Sequence, residues 1–590
     1  MQTIDSYSDH WPGGRLAGVE QQWSRGDFLE AARINHPKAG GKVFTVGPYG
    51  HRVGFAFQQA RAFMLAAAFA DEFDNMNPSL TRASAPLAVL GGGVAGITMT
   101  AALHSLGFTN LTLFERKANV LMDQAYASHR IVHPAYNTWP LTHEFASTTR
   151  FPFLNWFAGP CDKVVKALRA EWESEWLGRL QTNTVRSGTI VKKVVRETSG
   201  DRIEVHYTQH PRHPKRETFD YVFVTLGFGS EKGVALSDNT SGRYWNVDTI
   251  RQVAEDHEKP SLLCVGDGDG ALIDCARMAY RCNVFDLATR LMAKLSSDGD
   301  RPPDHRDWKR RKTAKEQEIC DAENRASDRG VSPEKGAELL DEFYRGFVKR
   351  LSPDESKILE DFRIKPEGFF SKRELHLVAR GKSPFRPGNA PINKLIVAYL
   401  LEKKSVIYHR GDFVEATKTA PAKLVVPSGC PQFNDFDYRV VRIGADPPAE
   451  MLFRGIKKTH NTALHLKVTD YHPGAIAPDE FLRGLNQEDF QKQKPGTLHH
   501  TEKMKPMIGQ FLGTYCKDPK GGPAARVSYG KYQGGGLIVV EQHQDLTRAA
   551  NKVGGFDWQL FGIPIVSEDI NRKAERENPT FDPSVQGNGR

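Results

Sequence analysis

The stretch from Pro86 to Arg116, PLAVLGGGVAGITMTAALHSLGFTNLTLFER, limits what this chain can fold into more than any other. Leu87 to Leu90 is an apolar run of strand type, a glycine cluster follows at once, and a helix-compatible segment leads to a second apolar run, Leu111 to Phe114. Gly91, Gly93 and Gly96 satisfy G-x-G-x-x-G, and each glycine has a separate task. The first permits a tight strand-to-helix turn, the second lets backbone approach a pyrophosphate, and the third lets the helix lie close on the strand. Val94 and Ala95 would open a helix whose free N–H groups and partial positive charge face phosphate. Small residues (Ala95, Thr98, Ala101, Ala102) keep that helix near the sheet, and Gly107 is placed to stop it. Glu115, 19 residues beyond Gly96, ends the second strand, where a carboxylate accepts ribose hydroxyls. Arg116 stands beside it as a further candidate contact.

At 590 residues the chain is long enough for two to four domains with real cores. Its net charge of +9 suits phosphate-bearing ligands without requiring nucleic acid, which we do not expect as a partner. The N-terminus lacks a secretory pattern, and the longest apolar run, Phe63 to Ala70, is too short to span a bilayer. Seven scattered cysteines, odd in number, point to reduced thiols and a cytoplasmic location. The absence of any C-x-x-C excludes the usual dithiol relay of a disulfide reductase.

Residues 1–83 form a long preface in which Val53 to Phe73 reads as one helix bracing the main domain. After Glu115, a loop gathers Asp123, Gln124, His129, Arg130, His133, Asn137 and Trp139, polar and aromatic side chains suited to a ligand-facing wall. Arg130 and His133 are its candidate catalytic residues. Asp162 to Leu180 has core residues at helical spacing. From Ser187 to Gly229 the period changes to two, predicting an antiparallel meander that feeds a buried strand ending near Leu226-Gly227.

A second strand-and-turn follows at Ser261 to Val265 and GDGDGALIDCARMA. Gly266, Gly268 and Ala271 satisfy G-x-G-x-x-A, with a helix expected from Asp269 to Cys282. The turn carries two acids: Asp267 and Asp269 would repel a pyrophosphate unless occupied elsewhere, and Asp269 can cap its helix. Asn283 to Phe285 reads as a short strand ending at Asp286, which would favour NADH by repelling a 2′-phosphate. Residues 296–390 read as a charged, solvated helical insertion, with Ser332-Pro333 and Ser352-Pro353 opening two helices. Regular structure resumes with a helix, Ile392 to Lys403, and a strand, Ser405 to His409. An internal echo then appears: FDYVFVTLG (219–227) and FDYRVVRIG (436–444) align without a gap. We read them as the final strands of two homologous units. His460, His465, Asp470 and His472 match no metal spacing, and no metal site is assigned. Gly534-Gly535-Gly536, ahead of Leu537 to Glu541, could form a further nucleotide-facing turn.

With two Rossmann-type units in sequence, the chain resembles the flavoproteins that carry two dinucleotide-binding domains, including thioredoxin-reductase-like enzymes and flavin-containing monooxygenases. The resemblance implies an α/β protein: an extension (1–83), an FAD-binding unit (84–240), an NAD(P)-type unit (241–295 and 391–445) split by an insertion (296–390), and a C-terminal region (446–590) completing the FAD domain. It implies that Gly91, Gly93, Val94, Ala95, Gly96, Glu115 and Arg116 hold the ADP part of FAD. Arg130 would meet a phosphate or the flavin edge, and Gly227 would lie near the bound nucleotide. Gly266, Gly268, Asp269 and Ala271 would face NAD(P)H. No glycine pair follows the ribose acid, the fingerprint F-x-G-x-x-x-H-x-x-x-[WF] is absent between the turns, and no C-terminal Gly-Asp motif is recognisable. The resemblance therefore reaches the superfamily and no named branch.

The expected activity is that of an FAD-dependent oxidoreductase using NAD(P)H, with a monooxygenase-type reaction on a small organic substrate. Two alternatives remain at this stage. One is an FAD-dependent amine or amino-acid oxidase with a vestigial second unit; the other is a non-catalytic nucleotide-sensing or partner-binding protein.

Overall fold

The computed structural model describes residues 25–34, 41–46, 54–140, 148–149, 151–181, 184–197, 200–209, 213–227, 244–245, 250, 261–297, 312–328, 330–364, 374–414, 423–426, 430–444, 452, 487–493, 502–505, 508, 527–532, 535–540, 559–560 and 563–567. Helix α1 (Arg25–Ala32), strand β1 (Val43–Thr45) and helix α2 (Phe55–Met76) precede β2 (Leu87–Leu90), α3 (Val94–Ser105) and β3 (Leu111–Phe114). Helix α4 (Cys161–Glu171), β4 (Val185–Arg186), a meander of β5 (Thr189–Arg196), β6 (Ile203–Gln209) and β7 (Pro214–Phe219), and β8 (Tyr221–Val224) complete the first unit. Its parallel sheet has the order β1-β8-β2-β3-β4.

The second unit begins with β9 (Ser261–Val265), α5 (Asp269–Ala279) and α6 (Val284–Leu295). It continues through α7 (Ala314–Ala326), α8 (Pro333–Lys349), α9 (Pro353–Glu360), β10 (Glu374–Ala379), α10 (Pro391–Glu402) and β11 (Ile407–Arg410). A two-stranded ribbon, β12 (Asp412–Val414) with β13 (Lys423–Val425), precedes β14 (Tyr438–Val441). The parallel order is β11-β10-β9-β14. In both units the first strand thus lies between the second strand and the last, the Rossmann arrangement. Both echo segments occupy the last-strand place: Tyr221 pairs with Leu87 and Tyr438 with Leu262.

Two elements depart from the sequence reading. The preface contributes an edge strand as well as helices, because VFT is too short for its period to show; Val43 pairs with Val222. Helix α2 packs its aromatic face inward, with Phe69 5.3 Å from Phe108 and 5.0 Å from Phe223 between ring centroids. Asn283 to Phe285 is no strand. The Asn283 side chain accepts from the Phe285 N–H and caps α6, whose Val284, Leu287, Ala288, Leu291, Met292 and Leu295 are buried at helical spacing.

The segment 296–390 is also not a solvated insertion. It supplies β10, the second strand of the second sheet, and α7, α8 and α9 pack into that unit's core through Ile319, Leu340, Tyr344, Phe347 and Leu359. Ser332 and Ser352 cap α8 and α9, with proline next in each. A buried ion pair ties these helices to α10: Lys394 Nζ lies 2.6 Å from Glu323, which also accepts from the Tyr344 hydroxyl.

Among the described residues no helix is long and apolar enough to cross a membrane. In the C-terminal region four strands, β15 (Val527–Tyr532), β16 (Gly535–Val540), β17 (Gln559–Leu560) and β18 (Ile563–Ser567), form a sheet of order β15-β16-β18-β17. Gly535 and Gly536 lie within β16, paired with Tyr532 and Lys531, rather than in a nucleotide turn; Gly534 lies outside the described residues, as do His460, His465, Asp470 and His472. Leu452 packs into the first unit's core and Lys503 pairs with Glu171.

Removing the Lys394 charge leaves the Glu323 carboxylate buried without its cation. Lys394→Ala is expected to lower the unfolding free energy by ~3–5 kcal/mol, read as a lower denaturant midpoint.

Candidate dinucleotide sites

The first turn is built as its glycines require. Gly91 has φ +109°, and a Cβ there would meet the Thr225 carbonyl oxygen at 2.8 Å. At Gly96 a Cβ would lie 1.7 Å from the Gly91 oxygen, so helix and turn touch backbone to backbone. Above Gly93 there is open space, with nothing within 4 Å of an added Cβ. No side chain caps α3, and no acid stands in its first turn. The helix end with Val94 and Ala95 therefore faces the gap over Gly93 as an anion cradle.

Glu115 closes this site. Its carboxylate accepts from the Gly92 N–H and the Lys117 N–H, both at 2.6 Å. Burial lifts the carboxyl above its usual range, while those two N–H groups pull it back. A buried carboxylate fixed at the end of the second strand is the group that takes up ribose hydroxyls. The residues present therefore fit the ADP portion of a dinucleotide. Arg116 is exposed and pairs with Asp123 at 3.3 Å, and Gly227, with φ +65°, follows β8.

The second turn repeats the geometry. Gly266 has φ +131°, a Cβ there would meet the Arg442 oxygen at 2.3 Å, and the space over Gly268 is open. Ala271 replaces the third glycine, its Cβ 3.1 Å from the position a Gly266 Cβ would occupy. Both acids are engaged away from the turn. Asp267 pairs with Arg386, and Asp269 accepts from the Ala390 N–H and the Asn393 amide, each at 2.8 Å. Asp269 does not cap its own helix, and it fastens the start of α5 to the start of α10.

The loop after β3 touches the first turn, where the Leu121 N–H donates to the Gly92 carbonyl at 2.9 Å, and from Arg130 onward it joins the two units. Arg130 is buried and forks onto Asp274 of α5, its Nη2 3.1 Å from Oδ2. Its Nε donates to the Tyr244 carbonyl and its guanidinium lies 3.6 Å from the centre of the Tyr244 ring. Arg442 and Arg277 also reach Asp274, at 2.8 and 3.2 Å. Burial alone would raise this carboxyl; the Arg130 and Arg442 charges outweigh it and hold Asp274 well below the usual carboxylate range. Arg130, expected to meet a phosphate or the flavin edge, is thus engaged in the structure with Asp274 and Tyr244. His133 Nδ1 accepts from the Ala135 N–H, and its ring lies 5.7 Å from that of Phe285 of α6. Farther along the loop, the Tyr136 hydroxyl donates to Asn393 at 2.6 Å, and Trp139 Nε1 donates to Ser296 and Glu316.

Asp286 lies in the first turn of α6 and not at a strand end, so its argument for NADH falls. In the first unit Leu90 pairs with Phe114, and in the second Val265 pairs with Val378. The register position of Glu115 is therefore Ala379, followed by Arg380. Sequence reading missed Asp274, Arg442 and Arg380. Only Arg442 left a signal, at the place of Thr225 in the echo.

No protein-family model matches the chain, and no curated protein matches it. Among solved structures it is similar to ε-caprolactone-bound cyclohexanone monooxygenase, at 14% identity over 63% of this chain and 75% of that one, with a TM-score of 0.31. It is similar to the ornithine N-hydroxylase of Kutzneria sp. 744 with reduced FAD, NADP+ and L-ornithine, at 13% identity over 63% of this chain and 83% of that one, TM-score 0.32. Thioredoxin reductase of Lactococcus lactis gives 11% identity over 68% of this chain and 98% of that one, TM-score 0.30. At this level of overlap, function is read from the two turns and their surroundings.

Two substitutions separate binding from architecture. Glu115→Gln is expected to weaken adenine-dinucleotide affinity ~10–100-fold in a calorimetric titration, the worth of hydrogen bonds to a charged acceptor. Asp274→Asn leaves three arginines facing a neutral amide and should cost ~3–5 kcal/mol. Since the folded chain holds Asp274 below its ordinary value of 3.8, its contribution is complete above about pH 4 and fades only in stronger acid. The stability gap between wild type and variant, followed by thermal melts, should be flat from about pH 5 to 8 and shrink below about 4.

Proposed function

We propose that the chain is an FAD-dependent oxidoreductase that draws electrons from NADPH, with monooxygenase-type oxidation of a small organic substrate as its reaction. One observation carries the reading: two open glycine turns of the same build differ at the residue that reads the ribose. The first unit has Glu115, which suits the unmodified ribose of FAD. The second has Ala379 and then Arg380, with Lys382 and Arg386 in the same loop, and no carboxylate at that register. These three side chains are more than half exposed while paired with Asp412, Glu338 and Asp267. Removing the acid and supplying cations there favours a 2′-phosphate, hence NADPH over NADH.

A bound flavin supplies hydride acceptance and onward electron transfer. The chain's own part is positional. The α3 end and Glu115 hold one dinucleotide, and the α5 end, with its acids engaged elsewhere, receives the other. Arg130, Tyr136 and Trp139 fix the two units against each other, which sets how the two dinucleotides face.

Purified protein should be yellow and should bleach under anaerobic conditions faster with NADPH than with NADH. The double substitution Ala379→Glu with Arg380→Ser should move that preference toward NADH by ~10-fold or more. Colourless protein, or flavin unaffected by either nicotinamide, would remove the assignment.

A further inference from the structure

On the face of the second sheet that packs under the β12–β13 ribbon, His376 of β10, His409 of β11 and Cys430 before β14 come together. Their ligand atoms all lie within 4.8 Å of one another. His376 and Cys430 are buried and His409 is half-buried, so the group is shielded yet has an approach from solvent. The two imidazoles lie nearly parallel, 6° apart, with His376 Nδ1 2.8 Å from His409 Nε2. Behind His376, a Glu374 oxygen lies 3.3 Å from Nε2. A carboxylate in that place keeps the proton on Nε2 and leaves the Nδ1 lone pair directed at His409, the arrangement by which outer carboxylates orient metal-bound histidines.

We propose that His376 Nδ1, His409 Nε2 and Cys430 Sγ bind one zinc-class divalent ion, with water in the fourth position. Tetrahedral zinc, with bonds of about 2.0–2.1 Å to nitrogen and 2.3 Å to sulfur, holds its ligand atoms roughly 3.3–3.7 Å apart. The 2.8 Å between His376 Nδ1 and His409 Nε2 is shorter than that range, and a turn of the half-buried His409 ring opens the pair. Binding takes Cys430 as thiolate, and its proton leaves to solvent. Two imidazoles and one thiolate suit a borderline-soft ion and disfavour magnesium or calcium. The ion would cross-link two strands to the segment entering β14, on the sheet face opposite α5 and α10. The sequence hides this site because the three residues are 33 and 21 positions apart, a spacing with no recognised pattern.

The test uses the full-length protein, reduced without added thiols, titrated with cobalt(II) chloride alone. One equivalent should bind, giving a thiolate-to-cobalt charge-transfer band in the near ultraviolet and the strong visible absorption of four-coordinate cobalt; zinc chloride should abolish both. Cys430→Ser should lose the charge-transfer band while Cys282→Ser keeps it, and Glu374→Gln should weaken cobalt binding ~10–100-fold. Should Cys430→Ser not fold by circular dichroism, His409→Asn serves instead and should lose stoichiometric uptake. No stoichiometric uptake by wild type at tens of micromolar cobalt, a band unchanged in Cys430→Ser or uptake unchanged in His409→Asn, or binding of copper(I) without cobalt or zinc, would overturn the proposal.

Discussion

Three guanidinium groups converge on the carboxylate of Asp274, and the relation between the two units depends on that meeting. Arg130 comes from the first unit, Arg277 from the same helix as Asp274, and Arg442 from the end of the second unit's last strand. Such a cluster is costly to desolvate, and breaking it leaves buried charge uncompensated. Its geometry explains the placement: Arg442 also presents the carbonyl against which Gly266 packs. The residue that closes the second turn is thus the one that grips the joint. A change in the angle between the units would be felt at that turn directly.

Much of the architecture of the two glycine turns was legible in the chain. The glycine spacing around Gly91 and the placement of Glu115 act over short range, so strand, turn and acid can be read locally. The echo worked for a related reason. Matching Phe-Asp-Tyr segments report matching demands, since each tyrosine opens a buried strand beside the first strand of its sheet. The partners of the Arg130 loop were not legible because they are remote: Arg130 and Asp274 are 144 residues apart. Polar side chains gathered in a loop advertise hydrogen bonding without saying to what. Asn283 to Phe285 failed on length, three apolar residues being too few to distinguish a strand from a helix start until the cap at Asn283 is recognised.

The charged segment before α10 carries a related lesson. Its composition suggested solvent on every side, yet Glu323, Lys394 and Tyr344 satisfy one another inside the second core. Charge in a sequence marks what must be paired, and pairing can happen in the interior as well as at the surface. The same segment conceals β10, and with it the Ala379–Arg380 step that stands where the first unit has Glu115 and Arg116.

Strand β1 has a consequence for how the chain comes into being. Its ladder partner is β8, and Thr45 bonds to the carbonyl of Val224 across 179 residues. During synthesis at roughly 5–20 residues per second, that partner emerges ~10–35 s after β1 itself. Phe44 and Phe69 of α2 must spend that interval without Tyr221 and Phe223, the rings against which they later pack. Strand β1 and the aromatic side of α2 are thus among the last pieces of the first unit to settle, and a ribosome-bound holdase would have its natural client there.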